Sequence, residues 1–211
     1  MTPTRLLAVA QRLQAIAQAG ITYHPDGYDL ERYEEVRDLA ALLLEEVSDE
    51  PHEKIVRAFA SETGYPTPKV DVRAVLFRAR DEILLVRERA DQDRWTLPGG
   101  WADVGCSPFE AAAKEAREET GLIVRPVRLL ALLDKRRHPH PPHPWHVYKA
   151  FIQCEIEGGE LQEATPETSG ARWFRPEELP GLDLSVERVT LSQLQGMLQF
   201  AGDRSLQALC D

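Results

Sequence analysis

Between Leu97 and Leu122 the chain joins a glycine turn, a helix marked at both ends and a cluster of carboxylates, which leaves this segment little conformational freedom. Ser107 and Glu110 have the spacing of a capping box, Pro108 suits the first helical position, and Gly121 suits the left-handed stop. On the helix between them, Glu115, Glu118 and Glu119 stand at i, i+3 and i+4, which places three carboxylates within about 40 to 60 degrees of one line. Like charges at that spacing cost a few tenths of a kcal/mol, roughly, per pair, so the arrangement calls for a divalent cation with oxygen ligands, Mg2+ or Mn2+. Phe109, Ala113, Ala116 and Thr120 are expected to seat the helix on a sheet, with Ala111 and Ala112 leaving space above the acids.

Upstream, the pattern predicts three helices. The first covers residues 3 to 19, with Pro3 in its first turn and Gly20 as its stop. The second follows a turn at His24-Pro25-Asp26-Gly27, is capped by Asp29 and ends near Ser48. The third runs from about Pro51 to Gly64, where Tyr65-Pro66-Thr67-Pro68 prevents continuation. A domain boundary there divides a helical unit, 1–65, from a larger domain, 66–211. In the latter, Val70–Phe77 and Ile83–Val86 read as a hairpin around Arg80-Asp81-Glu82, with further strands near 123–133, 145–157 and 171–175 and a helix over 185–200. This is an α/β (α+β) order of elements.

Composition narrows the function. A formal charge of −10 repels bare nucleic acid, and the first 65 residues are rich in acids such as Glu31, Glu34, Glu35 and Asp38, so no nucleic-acid partner is expected. An anionic substrate must then be met by local Lys, Arg or metal. Three scattered cysteines, Cys106, Cys154 and Cys210, form no disulfide framework and fit a reducing cytoplasm. The N-terminus lacks a signal-peptide pattern, and no segment approaches the roughly 20 apolar residues of a membrane span.

The segment Gly100–Leu122 resembles the Nudix box: glycine, five residues, glutamate, seven residues, then Arg-Glu-aliphatic-x-Glu-Glu-x-Gly-aliphatic. Gly100, Glu115, Ala116, Glu118, Glu119, Gly121 and Leu122 match, and Leu97-Pro98-Gly99 is the usual lead-in. Cys106 replaces the first glutamate and Lys114 the arginine. The resemblance implies an α/β/α sandwich with a mixed β-sheet and a Mg2+- or Mn2+-dependent pyrophosphohydrolase. It also implies that Glu118 and Glu119, with the Gly99 carbonyl, hold the metal, and that Glu115 ligates it or orients the attacking water. The general base is a helix glutamate or a later acid, with Glu163 and Glu167 as the loop candidates.

With a helical unit in front and Asp134-Lys135, His138-Pro139-His140-Pro141-Pro142 and His146–Lys149 behind, the chain further resembles the bacterial group that cleaves CDP-choline and related nucleoside-diphosphate-X compounds, or ADP-ribose. Those relatives are homodimers. Arg87, Arg89 and Trp101 are the candidate substrate contacts, the tryptophan by stacking on a base or a choline-like cation. The His138, His140, His143 and His146 run reads as a rigid proline-rich loop that gates substrate, rather than a metal site. Two other readings share the motif: an ADP-ribose or sugar-nucleotide pyrophosphatase, and a non-catalytic nucleotide-sensing domain.

Overall fold

The computed structural model describes residues 2–23, 27–47, 52–79 and 81–211. Several sequence expectations lie outside the described residues: the turn at His24-Pro25-Asp26, the helix end at Ser48, the helix start at Pro51, and Arg80 in the hairpin turn. The chain divides into two compact units, residues 1–68 with 141–146, and residues 69–140 with 147–211.

The first unit holds α1 (Pro3–Tyr23), α2 (Gly27–Glu45) and α3 (His52–Ser61). Leu7, Ala10, Ala41, Leu44, Ile55 and Phe59 form its core. The sequence reading stopped the first helix at Gly20, but α1 continues to Tyr23. Gly20 is there for packing: a Cβ at this position would stand 2.4 Å from the Tyr33 ring of α2, so the missing side chain is the seat of that ring. The His/Pro segment is partly anchored in this unit. Its end, 141–146, is held by Trp145, which sets its ring against Phe59 with centroids 5.5 Å apart, and by Gln11 Nε2, which donates to the His143 carbonyl at 2.9 Å.

The second unit is one mixed sheet between two helices. Its elements are β1 (Lys69–Arg78), β2 (Glu82–Glu88), β3 (Arg94–Thr96), β4 (Gly99–Trp101), α4 (Pro108–Thr120), β5 (Leu122–Asp134), β6 (Val147–Gly159), β7 (Thr168–Phe174), α5 (Leu191–Gly202) and β8 (Leu209–Cys210). The strand order is β3-β2-β1-β6-β5-β8, with β4 also paired to β1 and β7 to β2. β1 runs parallel to β6 and is buried on both faces from Asp71 to Leu76, which explains its nearly continuous apolar run.

Each face has its own core. Ala111, Ala112 and Ala116 lay α4 on Val72, Ala74, Leu84 and Ile152, and Leu194, Met197 and Phe200 lay α5 on Val75, Leu85, Leu130 and Phe151. The small residues let the α4 backbone approach the strands closely. That seating corrects the expected one: Phe109 is 39% exposed and Ala113 only partly covered, whereas Ala111 and Ala112, assigned from sequence to open space, are buried. The closing helix begins at Leu191 rather than near 185, because Thr190 caps it through the backbone N–H of Gln193. The three-residue strands β3 and β4 escaped the sequence pattern because they are shorter than any readable alternation.

Candidate active site

The glycine turn is fixed by sterics. Gly99 has φ +150°, and a Cβ there would lie 2.1 Å from the Val72 carbonyl oxygen; one on Gly100 would press on the Glu115 carboxylate at 3.2 Å. The turn is pinned as well by Ala74 N–H donating to the Pro98 carbonyl at 2.8 Å. From here the chain enters α4 through Ser107, whose side chain accepts from Glu110 N–H while Glu110 accepts from Ser107 N–H, and it leaves through Gly121 at φ +76°.

Three carboxylates meet beside this turn. Oxygens of Glu115, Glu119 and Glu167 all lie within 4.8 Å of one another, the only such group of metal-ligand side chains among the described residues. Glu119 is buried and accepts the Gly99 N–H at 2.9 Å through Oε2. Burial pushes its pKa up to about 8, against the pull of the Arg73 guanidinium and the Gly99 hydrogen bond. Glu115 is raised too, by burial first, with Glu118 and Glu167 adding repulsion against the opposing pull of Lys114.

Glu167 arrives from a distant loop. Thr168 Oγ1 donates to the Glu119 carbonyl at 2.9 Å, Thr165 Oγ1 accepts from the Glu167 and Thr168 amides, and Arg89 N–H donates to the Glu167 carbonyl at 3.2 Å. These bonds dock the turn against the end of α4. Glu118 stands apart from the three. Positions 118 and 119 differ by roughly 100° around a helix, so when Glu119 faces the sheet Glu118 faces solvent; its side chain is 47% exposed and lies 3.6 Å from Lys114.

Lys114 itself shows how the two departures from the box are accommodated. Its Nζ donates to Asp103 Oδ2 at 2.8 Å, so a loop aspartate takes over the tie between loop and helix, and Cys106 is a partly covered free thiol beside the α4 core. That hydrogen bond and the nearby Glu118 raise the Lys114 pKa.

A second polar device, absent from the sequence reading, lies under the turn. Arg73, 4% exposed, donates through Nη1 to the carbonyls of Gly99 at 2.7 Å and Leu97 at 3.3 Å, and through Nη2 and Nε to Asp71 at 2.6 and 3.2 Å. Lys149 of β6 closes on the same aspartate from the next strand. Burial by itself would raise the Asp71 pKa, but Arg73 and Lys149 outweigh it and hold the carboxyl below its usual range. The Lys149 ammonium is pushed down to about 8 by burial. The Gly99 carbonyl, expected to face a metal, therefore spends one lone pair on Arg73. The only sequence-level signal for this network was three charged residues inside otherwise apolar strand runs.

The remaining candidates separate. Arg89 is exposed and tied to the Glu167 loop, its Nε donating to the Thr165 carbonyl at 3.4 Å. Trp101 is half-exposed on β4, next to Gly100. Glu163 is exposed in the loop before β7 and is not in the carboxylate group. Arg87 lies on the other face of the sheet: it is paired with Trp95, whose ring packs into the α5-side core, and its guanidinium carbon sits 4.9 Å over that ring. His138 bonds Asp211, and His140 bonds the Val186 carbonyl at 2.6 Å and Gln193, burial driving its pKa down to about 4.

Comparison with known proteins gives two family matches. Residues 67–194 match the NUDIX domain, and residues 4–59 match the UDP-X-like, N-terminal oligomerisation domain. YjhB of Bacillus subtilis (strain 168), which carries an ADP-ribose pyrophosphatase name, is 46% identical over 197 residues, covering 93% of this chain and 92% of that protein. The crystal structure of a UDP-X diphosphatase aligns over 100% of both chains with 32% identity and a TM-score of 0.62. An ADP-ribose pyrophosphatase from Streptococcus suis 89-1591 aligns over 69% of this chain and 100% of its own, with 36% identity and a TM-score of 0.60.

Proposed function

The chain belongs to the Nudix family, and from that premise we propose that it hydrolyses the phosphoanhydride of a nucleoside diphosphate joined to a group X, adding water and releasing a nucleoside monophosphate and phospho-X. The observation that carries the reading is the meeting of Glu115, Glu119 and Glu167 beside the Gly99–Gly100 turn. This donor set fits a hard divalent cation, Mg2+ or Mn2+: it offers only carboxylate oxygens, and the buried Arg73 guanidinium offsets only part of its charge. When bound, such an ion neutralises diphosphate charge and lowers the pKa of coordinated water. Glu115 and Glu119, anchored on α4, would hold it. Glu167, carried on the adjacent turn, takes the proton of the attacking water at a carboxylate oxygen. Glu118 stays beside Lys114 at the rim, outside the donor set, while Arg89 and Trp101 border the diphosphate and X.

ADP-ribose and UDP-linked compounds rank ahead of CDP-choline as substrates, the support being the names of the relatives above. A panel of the three with Mg2+ or Mn2+, assayed for monophosphate and phospho-X, tests this. Turnover of none of them, with nucleotide still bound, would replace the hydrolase with the sensing domain.

The titration of Glu119 gives a separate check. A folded-state pKa of about 8 against an ordinary 4.5 means that the group favours folding fully below about 4.5 and loses this contribution as pH rises through 8. The ion-free protein is therefore expected to be less stable at pH 9 than at pH 6. Cation binding must displace that proton, so Mg2+ affinity should rise about tenfold per pH unit up to about pH 8. Thermal melts with and without Mg2+ across this range measure both. A pH-independent Mg2+ effect would place the ion elsewhere.

We also assign the helical unit to pairing of two copies, in keeping with its family match. Val9 and Ile16 on α1 and Leu39 and Leu42 on α2 are each 38–51% exposed, four large apolar groups that a second copy would cover. Ile16→Glu combined with Leu39→Glu should convert a dimer to a monomer by light scattering without lowering helix content. The cytoplasm suits a Mg2+-dependent enzyme with three free cysteines, and no helix among the described residues is long and apolar enough to cross a membrane.

A further inference from the structure

On the sheet face opposite the carboxylates, we infer a second ligand site, for a phosphorylated sugar, in the cavity that Arg87, Arg172 and Trp95 line. The cavity measures about 640 Å3, within the range of small-molecule sites. Its face assignment follows from register. Arg87 is opposite Trp95 on β3 and Gly170 on β7, and Arg172 is opposite Leu85. Trp95, Leu85 and Phe174 all belong to the α5-side core, so both arginines project on that side, away from α4.

The two guanidiniums are presented alike. Arg87 lies 4.9 Å over the Trp95 ring and Arg172 4.0 Å over the Phe174 ring. Stacking occupies one face of a guanidinium and leaves its in-plane N–H donors available. Arg172 shares one of them with Glu178 at 3.1 Å, whereas Arg87 forms no ion pair among the described residues. As diagonal neighbours across two strands their Cα atoms are roughly 7–8 Å apart, a spacing from which both side chains reach one phosphate. Gly170, directly opposite Arg87, adds no side chain beside it.

The rest of the lining selects what carries the phosphate. Gln92 and Asp93, both held at positive φ, and Asp183 share the lining with the arginines. Asp93 bonds Ser169, and Asp183 lies 3.5 Å from Arg94, yet each carboxylate keeps lone pairs that accept further donors. Carboxylates repel a second anionic group and accept from hydroxyls. An occupant with one phosphate and several hydroxyls suits a lining of two arginines and two aspartates, whereas a diphosphate would bring a second charge near Asp93 and Asp183.

The test uses the full chain in EDTA, so that the carboxylate site contributes no metal-bound phosphate. Calorimetric titration with ribose 5-phosphate should show saturable binding, with ribose silent and inorganic phosphate weaker. Arg87→Met and Arg172→Met should each weaken the sugar phosphate at least about tenfold, while Glu119→Gln leaves it unchanged. Arg87→Lys keeps the charge without the planar fork, so it should weaken binding as well and guards against a folding artefact. Absence of saturable binding, full affinity in the Arg87→Met/Arg172→Met pair, or loss in Glu119→Gln would overturn the site. Equal affinity for inorganic phosphate and ribose 5-phosphate would overturn the role of Asp93 and Asp183.

Discussion

Glu119→Gln should lower kcat/KM by roughly a hundredfold or more while leaving the ion-free protein at least as stable as wild type. The side chain is buried and accepts the Gly99 N–H, a bond that the glutamine carbonyl can also accept, so packing and the glycine turn are kept. What is lost is a charge that the fold tolerates poorly and a cation needs, as its elevation to about 8 shows. Melting temperature in EDTA should therefore rise relative to wild type at pH 9, and the pH-dependent part of Mg2+ stabilisation should vanish. Glu167→Gln, the proposed base, should cost about 10²–10⁴-fold in kcat with Mg2+ affinity less affected. Glu118→Gln should cost less than either, because its carboxylate lies with Lys114 outside the group of three. A Glu118→Gln variant as inactive as Glu119→Gln would show that the helix uses its outer carboxylate, and the assignment above would fail.

Asp71→Asn is the second large effect, this time on stability. The substitution leaves two buried cations, Arg73 and Lys149, facing an amide that cannot balance them. Breaking a buried ion pair on one side costs about 3–5 kcal/mol, because the remaining charge is left uncompensated. For a domain of this size that corresponds to a fall in melting temperature of roughly 6–20 °C. Adding Lys149→Met to Asp71→Asn removes one stranded cation and should recover part of the loss. Because Arg73 also holds the Leu97 and Gly99 carbonyls, activity measured well below the melting point should fall in Asp71→Asn. Unfolding by differential scanning calorimetry and kcat at low temperature separate the two consequences. A melting temperature within a few degrees of wild type would mean that the network is neutral to folding.

The helix α4 was legible residue by residue. Its cap, first-turn proline and terminal glycine are contacts within three or four positions, so they follow from local spacing. The angular position of its face was less legible, since alanines permit burial on almost any side. Ala111 and Ala112 lie against the sheet, and it is this rotation that turns Glu119 inward and Glu118 outward. Arg87 and Arg89 looked equivalent in sequence, yet a register shift between Arg87 and Glu88 and the short helical turn at Arg89–Asp91 send them to different places.

By itself, then, the sequence determined the helical first unit, the α/β order of the second, the capped acidic helix behind a glycine turn, and the Nudix resemblance with its demand for a divalent ion. Only the tertiary structure decided which acids share a centre, that Asp71, Arg73 and Lys149 support the turn from below, and that Arg87 faces a different cavity. The physical reason is range. Capping and helical spacing act over a few residues of backbone, whereas the meeting of Glu119 with Glu167, or of Asp71 with Lys149, depends on strand register and loop docking between segments tens of residues apart.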